Sequence, residues 1–360
     1  MAFRILGHGH ALPAHSVTLA ESVEYGRRIS CQTDEQRRLL PALYRHAGVK
    51  RRYSVLLEAP AGAETRQSFF SMPESPEDRG PGVEARMVRY AAEAGPLATR
   101  AAANALADSG CAPGEITHLV TVSCSGFAAP GVDIDLIEGL NLSPGVERVH
   151  VGFMGCHGAL NGLRAARGLA AADPGSRVLL CAVELCSLHY HYGWDPEQIV
   201  ANALFADGAA AVVGGVGEGP WRVAATGSRL IPGSRNAMSW SIAGHGFVMT
   251  LAAETPGLIA EHLGPWLTEW LGAQGLAVED VATWAVHPGG PRILSAAGKA
   301  LGLGPGALEV SRTVLRDYGN MSSPTVLFIL EACRREGRSL PCVALAFGPG
   351  LMAEAVLFTE

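Results

Sequence analysis

The sequence predicts an α/β protein built from two similar halves. Short apolar segments rich in β-branched residues alternate with longer amphipathic segments, which is typical of parallel or mixed sheets covered by helices. The order of these segments repeats, because Thr283 lies 164 positions after Leu119 and Asn320 lies 164 positions after Cys156. Residue identity under this shift is poor, so only the element order repeats. We expect an N-terminal half over residues 1–215 and a C-terminal half over residues 216–360.

The individual elements follow from local composition. Apolar, β-branched runs predict strands at residues 117–123, 149–154, 177–183, 204–213, 282–286, 342–346 and 355–358. The fourth run is either a strand or a hairpin, because Asp207-Gly208 can form a turn. Longer segments with one apolar face predict helices at residues 86–110, 158–171, 257–272, 292–301 and 323–337. Residues 54–82, rich in Pro, Glu, Ser and Gly, predict a long surface excursion.

The composition excludes several classes of function. The chain of 360 residues carries 28 basic and 34 acidic side chains, a net charge of −6, so it has no basic footprint for nucleic acid or a membrane surface. Only 17% of the residues are charged, which suggests surface hidden in an oligomer interface. No apolar run reaches the roughly 18 residues of a membrane span, and the N-terminus lacks a secretory signal. We therefore expect a cytoplasmic protein.

The cysteines and histidines give no sign of a metal or a disulfide framework. The eight cysteines form no C-x-x-C pair, so they are predicted to be reduced, buried thiols. His189 and His191 alternate as on a strand, but no nearby side chains complete a ligand set. No metal site is predicted.

Cys156 is the first candidate for chemistry. It follows an apolar strand and Gly155, and it opens a predicted helix. Free backbone N–H groups at a helix start lower the pKa of a thiol and can hold a developing oxyanion. A small buried core residue is the alternative. The side chain of His157 diverges from its neighbour by about 100° on a helix, so a base has to come from elsewhere.

His287 is the predicted base. It ends an apolar strand and precedes Pro288-Gly289-Gly290, at the kind of position where ligands approach α/β sheets. A structural histidine at a strand end is the alternative interpretation.

Asn320 is the third candidate. It lies just before a predicted helix in which Ser322 or Ser323 is the N-cap and Pro324 occupies the first turn. Its place in the second half duplicates that of Cys156 in the first. A neutral amide there could donate a hydrogen bond to an enolate oxygen, and the alternative is a simple turn asparagine.

The sequence resembles the type III polyketide synthases of the chalcone synthase superfamily. The resemblance rests on Cys156, His287 and Asn320 in this order and on the segments HPGGPRIL, YGNMSSPTVLFIL and AFGPGL, and it covers nearly the whole chain. It implies the thiolase fold, with two duplicated halves in a five-layered αβαβα arrangement, and a homodimer. It also implies an acyltransferase that uses malonyl-CoA and an acyl-CoA starter and needs no metal, flavin or nicotinamide cofactor.

The same resemblance implies a catalytic role for each candidate. Cys156 would carry the starter and the growing chain as a thioester. His287 would keep Cys156 as a thiolate and, with Asn320, would bind the thioester carbonyl of malonyl-CoA. Decarboxylation leaves an enolate, which positioned hydrogen-bond donors stabilise. Attack of this enolate on the Cys156 thioester would give ping-pong kinetics.

The resemblance also implies a gate and a cavity. Phe205 falls on the phenylalanine between the CoA tunnel and the cavity, and Met249 falls on its usual aromatic companion. Trp240 falls on a glycine of the plant enzymes. The positions of their cavity-lining threonines are taken here by Cys124, Cys186 and His189. These departures argue against a chalcone product and favour the bacterial branch that makes alkylpyrones, alkylresorcinols or small phenolics.

Further binding residues are implied by two loops and by the CoA tunnel. Ala129 lies in the loop that reaches the partner's cavity in this family. The loop at the end of the penultimate strand contributes Gly348, Pro349 and Gly350. The basic residues that bind CoA phosphates in plant members have no counterpart here. The CoA-binding candidates are Leu251, Gly289, Gly290 and Arg292.

Two other functions stay open on the sequence alone. A ketoacyl synthase III-like enzyme would use the same three residues for a single condensation. A non-catalytic thiolase-fold protein would act as a binding partner.

Overall fold

A computed structural model describes residues 2–63 and 66–360 as a mixed α/β structure. The strands are β1 (Phe3–Ala11), β2 (Ser16–Thr18), β3 (Arg51–Tyr53), β4 (His118–Ser123), β5 (Glu147–Gly152), β6 (Arg177–Leu185), β7 (Asp207–Val216), β8 (Trp221–Leu230), β9 (Met238–Ala243), β10 (Gly246–Leu251), β11 (Thr283–Val286), β12 (Cys342–Gly348) and β13 (Met352–Thr359). The helices are α1 (Leu19–Ile29), α2 (Asp34–His46), α3 (Val83–Ser109), α4 (Val132–Leu140), α5 (Gly158–Ala172), α6 (Pro196–Leu204), α7 (Thr255–Gly272), α8 (Pro291–Ala300), α9 (Glu309–Tyr318) and α10 (Pro324–Arg335).

One sheet runs through both halves in the order β11-β12-β13-β8-β1-β7-β6-β4-β5. The halves join where β1 pairs with β8 through Arg4 and Ile5. Within each half the order of strands is equivalent, since β4 is parallel to β6 and β11 is parallel to β12. The predicted boundary between residues 215 and 216 falls at the end of β7, and the division into two domains stays a prediction.

The helices form three layers around the two half-sheets. Helices α3 and α4 cover the outer face of the N-terminal half, and α7 and α8 cover the outer face of the C-terminal half. Helices α5 and α10 lie between the half-sheets and share one apolar core with strands of both. This is the predicted five-layered, duplicated arrangement of a thiolase-like fold. It places the starts of α5 and α10 side by side in the middle of the molecule.

The predicted strands and helices are all present, and β7 is a single strand that begins at Asp207 rather than a hairpin. The sequence patterns did not indicate β1, which is interrupted by Gly7 and Gly9. A Cβ atom at either glycine would lie within 2.6 Å of the α3 backbone, so these glycines allow the helix to pack directly on the strand. Close packing of α3 on β1 therefore explains the two glycines in this strand.

The prediction of a surface excursion at residues 54–82 is wrong in part. Leu56, Leu57 and Phe70 are buried, and the Arg66 guanidinium donates hydrogen bonds to Glu21 and to the Ser16 carbonyl. Residues 64 and 65 of this segment lie outside the described residues. The segment therefore forms one wall of the molecule. In the part of the chain that is described, no helix is long and apolar enough to cross a membrane.

Candidate active site

Cys156 lies at the junction of a strand and a helix between the two half-sheets. A short 3-10 helix, Gly155–His157, connects the segment after β5 to α5. Gly155 has a φ of 67°, which favours glycine. The Cys156 side chain is almost completely buried and faces a cavity. The structure thus places Cys156 where the sequence predicts a helix start.

The environment of Cys156 favours the neutral thiol. Burial raises the pKa of the Cys156 thiol to about 11, although the nearby polar side chains of Ser322 and Asn320 favour the thiolate. The backbone at the helix start also lowers the pKa of this thiol, but burial, which disfavours a thiolate, has the larger effect.

His287 follows β11 and is fully buried. Its backbone N–H donates to the Leu345 carbonyl at 2.7 Å, which fixes the strand end. Burial, together with the nearby His157, lowers the pKa of His287 to about 3. Within residues 2–63 and 66–360, neither ring nitrogen of His287 has a hydrogen-bond partner. A neutral imidazole with both nitrogens unpaired can accept a proton or bind a ligand.

Asn320 is held rigidly at the start of α10. Its backbone N–H donates to the Leu204 carbonyl at 2.8 Å, and its carbonyl accepts from Ala206 N–H at 2.9 Å, so it pairs with the segment of Phe205. The Asn320 Oδ1 accepts from Ser322 N–H at 2.8 Å. This contact leaves Nδ2 buried without a partner among the described residues. A buried donor of this kind is available to a ligand oxygen.

The loops around the nucleophile interlock. A Cβ atom at Gly348 would lie 2.4 Å from Cδ2 of His157, and one at Gly155 would lie 2.7 Å from Cδ of Pro349. His157 in turn donates from Nδ1 to Asn161 Oδ1 at 2.6 Å. The end of β12 therefore packs directly on the short helix that carries Cys156, and glycine is needed for this approach.

Most of the predicted cavity residues meet around Cys156. The residues that line the cavity with it include Cys124, Cys186, Phe205, Trp240, Met249, Ser322 and Pro349. Gly348 and Gly350 support the loop but do not line the cavity. Ala129 is exposed and does not reach the cavity of its own chain. The three cavity thiols are uncharged in this environment, since burial raises the pKa of Cys124 and of Cys186 as well.

His189 lies in a short 3-10 helix, Cys186–His189, so the prediction that His189 and His191 alternate on a strand is wrong. Its ring stacks on Phe247 with centroids 4.4 Å apart and contacts Trp240 edge-on. His189 Nε2 donates to the Ser125 carbonyl at 2.6 Å, and Phe247 N–H donates to Nδ1 at 2.9 Å. His189 therefore fixes the β9–β10 hairpin that supplies Trp240 and Met249 to the cavity.

The sequence patterns did not indicate Glu184, a fully buried carboxylate behind the cavity. It accepts hydrogen bonds from Cys124 N–H, from Ser125 N–H and from the Ser323 hydroxyl at 2.7–3.1 Å. Ser323 is the N-cap residue of α10, as the sequence predicts, but its hydroxyl donates to Glu184 and makes no hydrogen bond to the helix backbone. Ser322 has a φ of 55°, and its hydroxyl lies 3.7 Å from Cys124 Sγ.

The CoA-binding candidates surround neither the cavity nor a recognisable phosphate site. Gly290 precedes α8 and packs on Leu204, while the exposed Arg292 points toward the Ala253 carbonyl at 3.5 Å. Leu251 ends β10, and Gly289 N–H donates to the His287 carbonyl. Their role in CoA binding stays a prediction. Among residues 2–63 and 66–360, no three His, Cys, Asp or Glu side chains are placed to hold a metal ion.

This arrangement supports acyl transfer followed by carbanion chemistry. A cysteine faces an apolar cavity, a neutral imidazole can take up its proton, and an unpaired amide donor is available to a developing oxyanion. The Asn320 side chain lies close enough to the Cys156 thiol to influence its pKa. His287 is near His157, the residue that follows Cys156. The three residues predicted from the sequence thus converge on one region.

Comparison with known proteins identifies the family. The sequence model described as "Chalcone and stilbene synthases, N-terminal domain" matches residues 2–220, and the model of the C-terminal domain matches residues 222–360. The crystal structure of PKS-I from the brown alga Ectocarpus siliculosus has a TM-score of 0.92 at 29% identity, covering 100% of this chain and 98% of that one.

Two bacterial relatives are similar over most of the chain. The chain is 35% identical to 1,3,6,8-tetrahydroxynaphthalene synthase of Streptomyces peucetius subsp. caesius, over 96% of its own length and 90% of that protein. It is also 35% identical to the alpha-pyrone synthesis polyketide synthase-like Pks18 of Mycobacterium tuberculosis, over 76% of its own length and 72% of that protein. The chain therefore belongs to the chalcone and stilbene synthase family and is a type III polyketide synthase, an enzyme of the acyltransferase type.

Proposed function

We propose that this protein extends an acyl-CoA starter with two or more malonyl-CoA units and cyclises the product to a pyrone or a phenolic ring. The observation that carries the proposal is the buried Asn320 amide donor beside a cysteine that faces the cavity. Two of its relatives are named for an alpha-pyrone and for tetrahydroxynaphthalene, and these names support cyclisation. The identity of the starter and the number of extensions depend on the shape of the cavity.

The first half-reaction loads the starter. His287 accepts the Cys156 proton as the sulfur attacks the thioester carbonyl of the acyl-CoA. The bond from the carbonyl carbon to the CoA sulfur breaks, and CoA leaves as a thiol with the proton returned by His287. Both ring nitrogens of His287 are unpaired within the described ranges. No existing hydrogen bond therefore competes with this proton transfer.

The second half-reaction forms the carbon–carbon bond. Malonyl-CoA loses carbon dioxide, and its electron pair becomes an enolate whose oxygen is stabilised by Asn320 Nδ2 and the protonated or donating His287 ring. The enolate carbon attacks the acyl carbonyl on Cys156, and the cysteine sulfur leaves. The chain, now two carbons longer, is carried by the CoA of the extender unit and can be transferred back to Cys156. Repetition of these steps gives the poly-β-keto chain that cyclises.

Mass spectrometry of products from malonyl-CoA and a panel of acyl-CoA starters tests this proposal. We expect pyrones or phenolic rings that contain at least two extender units, and no product from Cys156→Ala. Asn320→Ala should lower kcat for malonyl-CoA decarboxylation by about 100-fold or more, the typical effect of removing an oxyanion donor. Cys111→Ala, a thiol outside the cavity, is the control. Products with a single extender unit would favour a ketoacyl synthase-like reaction, and turnover by Cys156→Ala would refute the mechanism.

We further propose a homodimer formed along the free edge of β5, the last strand in the sheet order. Val149 of β5 is exposed, and the neighbouring Phe153 and Met154 are 79% and 43% exposed. Large exposed apolar side chains beside an unpaired strand edge are typical of an interface. Sedimentation equilibrium should give a dimer for the wild type and a monomer for Val149→Lys. Leu230→Lys, an exposed position on β8, is the control, and a monomeric wild type would refute the proposal.

The location of the protein stays a prediction. Eight free thiols and CoA thioesters as substrates support the cytoplasm.

A further inference from the structure

Arg86 of α3 is a fully buried cation that the proposed reaction does not use. Within the described ranges its hydrogen bonds go to backbone carbonyls, and none goes to a carboxylate. Burial lowers the pKa of Arg86 to about 10, so the side chain is still charged at neutral pH. Burying a charge without an ion-pair partner is costly. The position of this side chain therefore requires an explanation.

The Arg86 guanidinium joins two segments of backbone. Its Nη1 donates to the Leu188 carbonyl at 2.5 Å and to the Tyr190 carbonyl at 3.1 Å, at the end of the short 3-10 helix Cys186–His189. Its Nε donates to the Pro81 carbonyl at 2.8 Å, just before α3 begins. Carbonyls at a helix end lack partners within the helix, and a cation is a strong donor to them. Arg86 therefore ties the end of this 3-10 helix to the start of α3.

A buried carboxylate holds the other end of the same 3-10 helix. Asp207 Oδ1 accepts from Ser187 N–H at 2.7 Å, and its Oδ2 accepts from the Ser187 hydroxyl at 2.6 Å. Burial raises the pKa of Asp207 to about 6, so it is charged at neutral pH. The 3-10 helix is thus held at both ends by buried charged side chains, one from α3 and one from β7.

Arg86 also supports the β9–β10 hairpin from behind. Gly246, where β10 begins, has a φ of 111°, and a Cβ atom there would lie 2.9 Å from both Cδ and Nε of Arg86. Glycine is needed here both for the backbone conformation and for the space. The hairpin backbone therefore lies directly on the Arg86 side chain.

Two walls of the Cys156 cavity depend on these contacts. The 3-10 helix supplies Cys186, and the hairpin supplies Trp240 and Met249. Arg86 itself does not line the cavity, so it acts on these walls only through the backbone that carries them. An apolar site discriminates between acyl groups by fit, and loosely held walls weaken that discrimination.

We propose that Arg86 is a positioning residue that determines selectivity between acyl starters. It fixes the 3-10 helix and the hairpin relative to α3, and it thereby keeps Cys186, Trp240 and Met249 at defined distances from one another. The proposal rests on the polyketide synthase function proposed above. Because Arg86 contacts none of the three catalytic side chains, the decarboxylation step does not depend on it.

Arg86→Lys tests the hydrogen bonds of the guanidinium. Lysine keeps the charge, but a single ammonium group does not reproduce the fork that reaches Leu188, Tyr190 and Pro81 together. We measure kcat/KM for linear, branched and aromatic acyl-CoA starters. The ratio between the best and the poorest accepted starter should fall about fivefold or more. KM for the best starter should rise by a similar factor, while kcat for malonyl-CoA decarboxylation stays within about twofold of the wild type.

Arg66→Lys is the matched control for this substitution. Arg66 is also buried and donates to the Ser16 carbonyl, but it contacts neither the 3-10 helix nor the hairpin. Gly246→Ala tests the hairpin contact without changing Arg86, and it should reduce the selectivity in the same way. Gly244→Ala in the same hairpin is its control, because nothing in the described part of the chain lies within 4 Å of that Cβ position. Both controls should keep the wild-type selectivity.

Thiol labelling gives a readout that needs no turnover. In Cys156→Ala protein, peptide mass spectrometry follows the alkylation of Cys186 by iodoacetamide relative to that of Cys342, a fully buried thiol of β12. Release of the 3-10 helix in the added Arg86→Lys variant should raise this ratio about tenfold, because only local opening exposes one thiol and not the other. General destabilisation would expose both thiols alike and leave the ratio unchanged.

The outcomes separate this proposal from the proposed function. If no starter gives a product with malonyl-CoA, the function is wrong, and the labelling ratio still shows whether Arg86 fixes the cavity wall. If products form but Arg86→Lys and Gly246→Ala keep the wild-type selectivity, the proposal is overturned. An unchanged labelling ratio, or a loss of decarboxylation as large as the loss of selectivity, would overturn it as well. If Arg86→Lys does not fold, Gly246→Ala decides the question.

Discussion

At the scale of single residues, the contact between Gly348 and His157 explains why a glycine ends β12. His157 does not act directly on the thiol of its neighbour. Its ring is held by Asn161 and packs against Gly348 in the loop of Gly348, Pro349 and Gly350. The loop of Gly348, Pro349 and Gly350 and the short helix that carries Cys156 therefore pack as one unit. The sequence pattern identified both segments, but it did not show that they touch.

Gly348→Ala tests this packing. The added methyl would lie 2.4 Å from His157 and 2.7 Å from the Met154 carbonyl, so the loop or the Cys156 helix has to move. We expect a loss of about 1–3 kcal/mol in the free energy of unfolding and at least a tenfold drop in kcat, measured by chemical denaturation and by product formation.

Gly168→Ala in α5 is the control for this substitution. Nothing lies within 4 Å of its Cβ position, and alanine stabilises a helix by about 0.5–1 kcal/mol relative to glycine. A Gly348→Ala enzyme with wild-type stability and kcat would show that the two loops are not in close contact.

At the scale of secondary-structure elements, Glu184 shows how three segments are fixed relative to Cys156. It stands on β6 and accepts hydrogen bonds from the turn after β4 and from Ser323 at the start of α10. Burial raises the pKa of Glu184, while these donors favour its charged form. Breaking such a buried network is costly, because the donors lose their partner. The side chains of Cys124 and Ser322 therefore reach the cavity in a defined position.

The β9–β10 hairpin is the other element that shapes the site. It supplies Trp240 and Met249, and Trp240 Nε1 donates to the Cys124 carbonyl at 2.8 Å. The sequence patterns did not indicate this hairpin, in which β9 pairs with β10. Its place in the molecule depends on the stacking of Phe247 on His189, a contact between residues distant in sequence. Tertiary contacts decided its position.

At the scale of the whole molecule, several histidines are buried in neutral form. Burial lowers the pKa of His8 and of His191 to about 4, and it lowers the pKa of His189 and of His287 to about 3. These residues lie in different parts of the fold, from β1 to the end of β11. Their combined effect makes stability depend on pH.

We expect the free energy of unfolding to fall as the pH drops from about 6.5 to about 4. In this window the unfolded chain protonates its histidines near pH 6.5 while the folded protein does not, so acid favours unfolding. Each such histidine contributes up to about 1.4 kcal/mol per pH unit. Urea denaturation at pH 7, 6, 5 and 4.5 measures this slope.

His8→Leu provides the comparison for the pH series. Its two ring nitrogens have no hydrogen-bond partner in the described part of the chain, so leucine removes the titration without breaking a hydrogen bond. The dependence of the free energy of unfolding on pH should become shallower by up to the contribution of one histidine, about 1.4 kcal/mol per pH unit. Equal stability of the wild type at pH 7 and pH 4.5 would contradict the expectation.

The sequence by itself determined the fold class, the duplicated element order and the trio of Cys156, His287 and Asn320, because apolar periodicity and glycine–proline punctuation are local properties that the chain carries. It did not determine the pKa of Cys156, since burial is a property of the packed molecule and raises that pKa. The pocket that adjoins the Cys156 cavity and is lined by Leu57 and Phe70 was likewise decided by tertiary structure alone. A segment with the composition of a solvated loop becomes a cavity wall only when Phe70 and Leu57 find apolar partners distant in sequence.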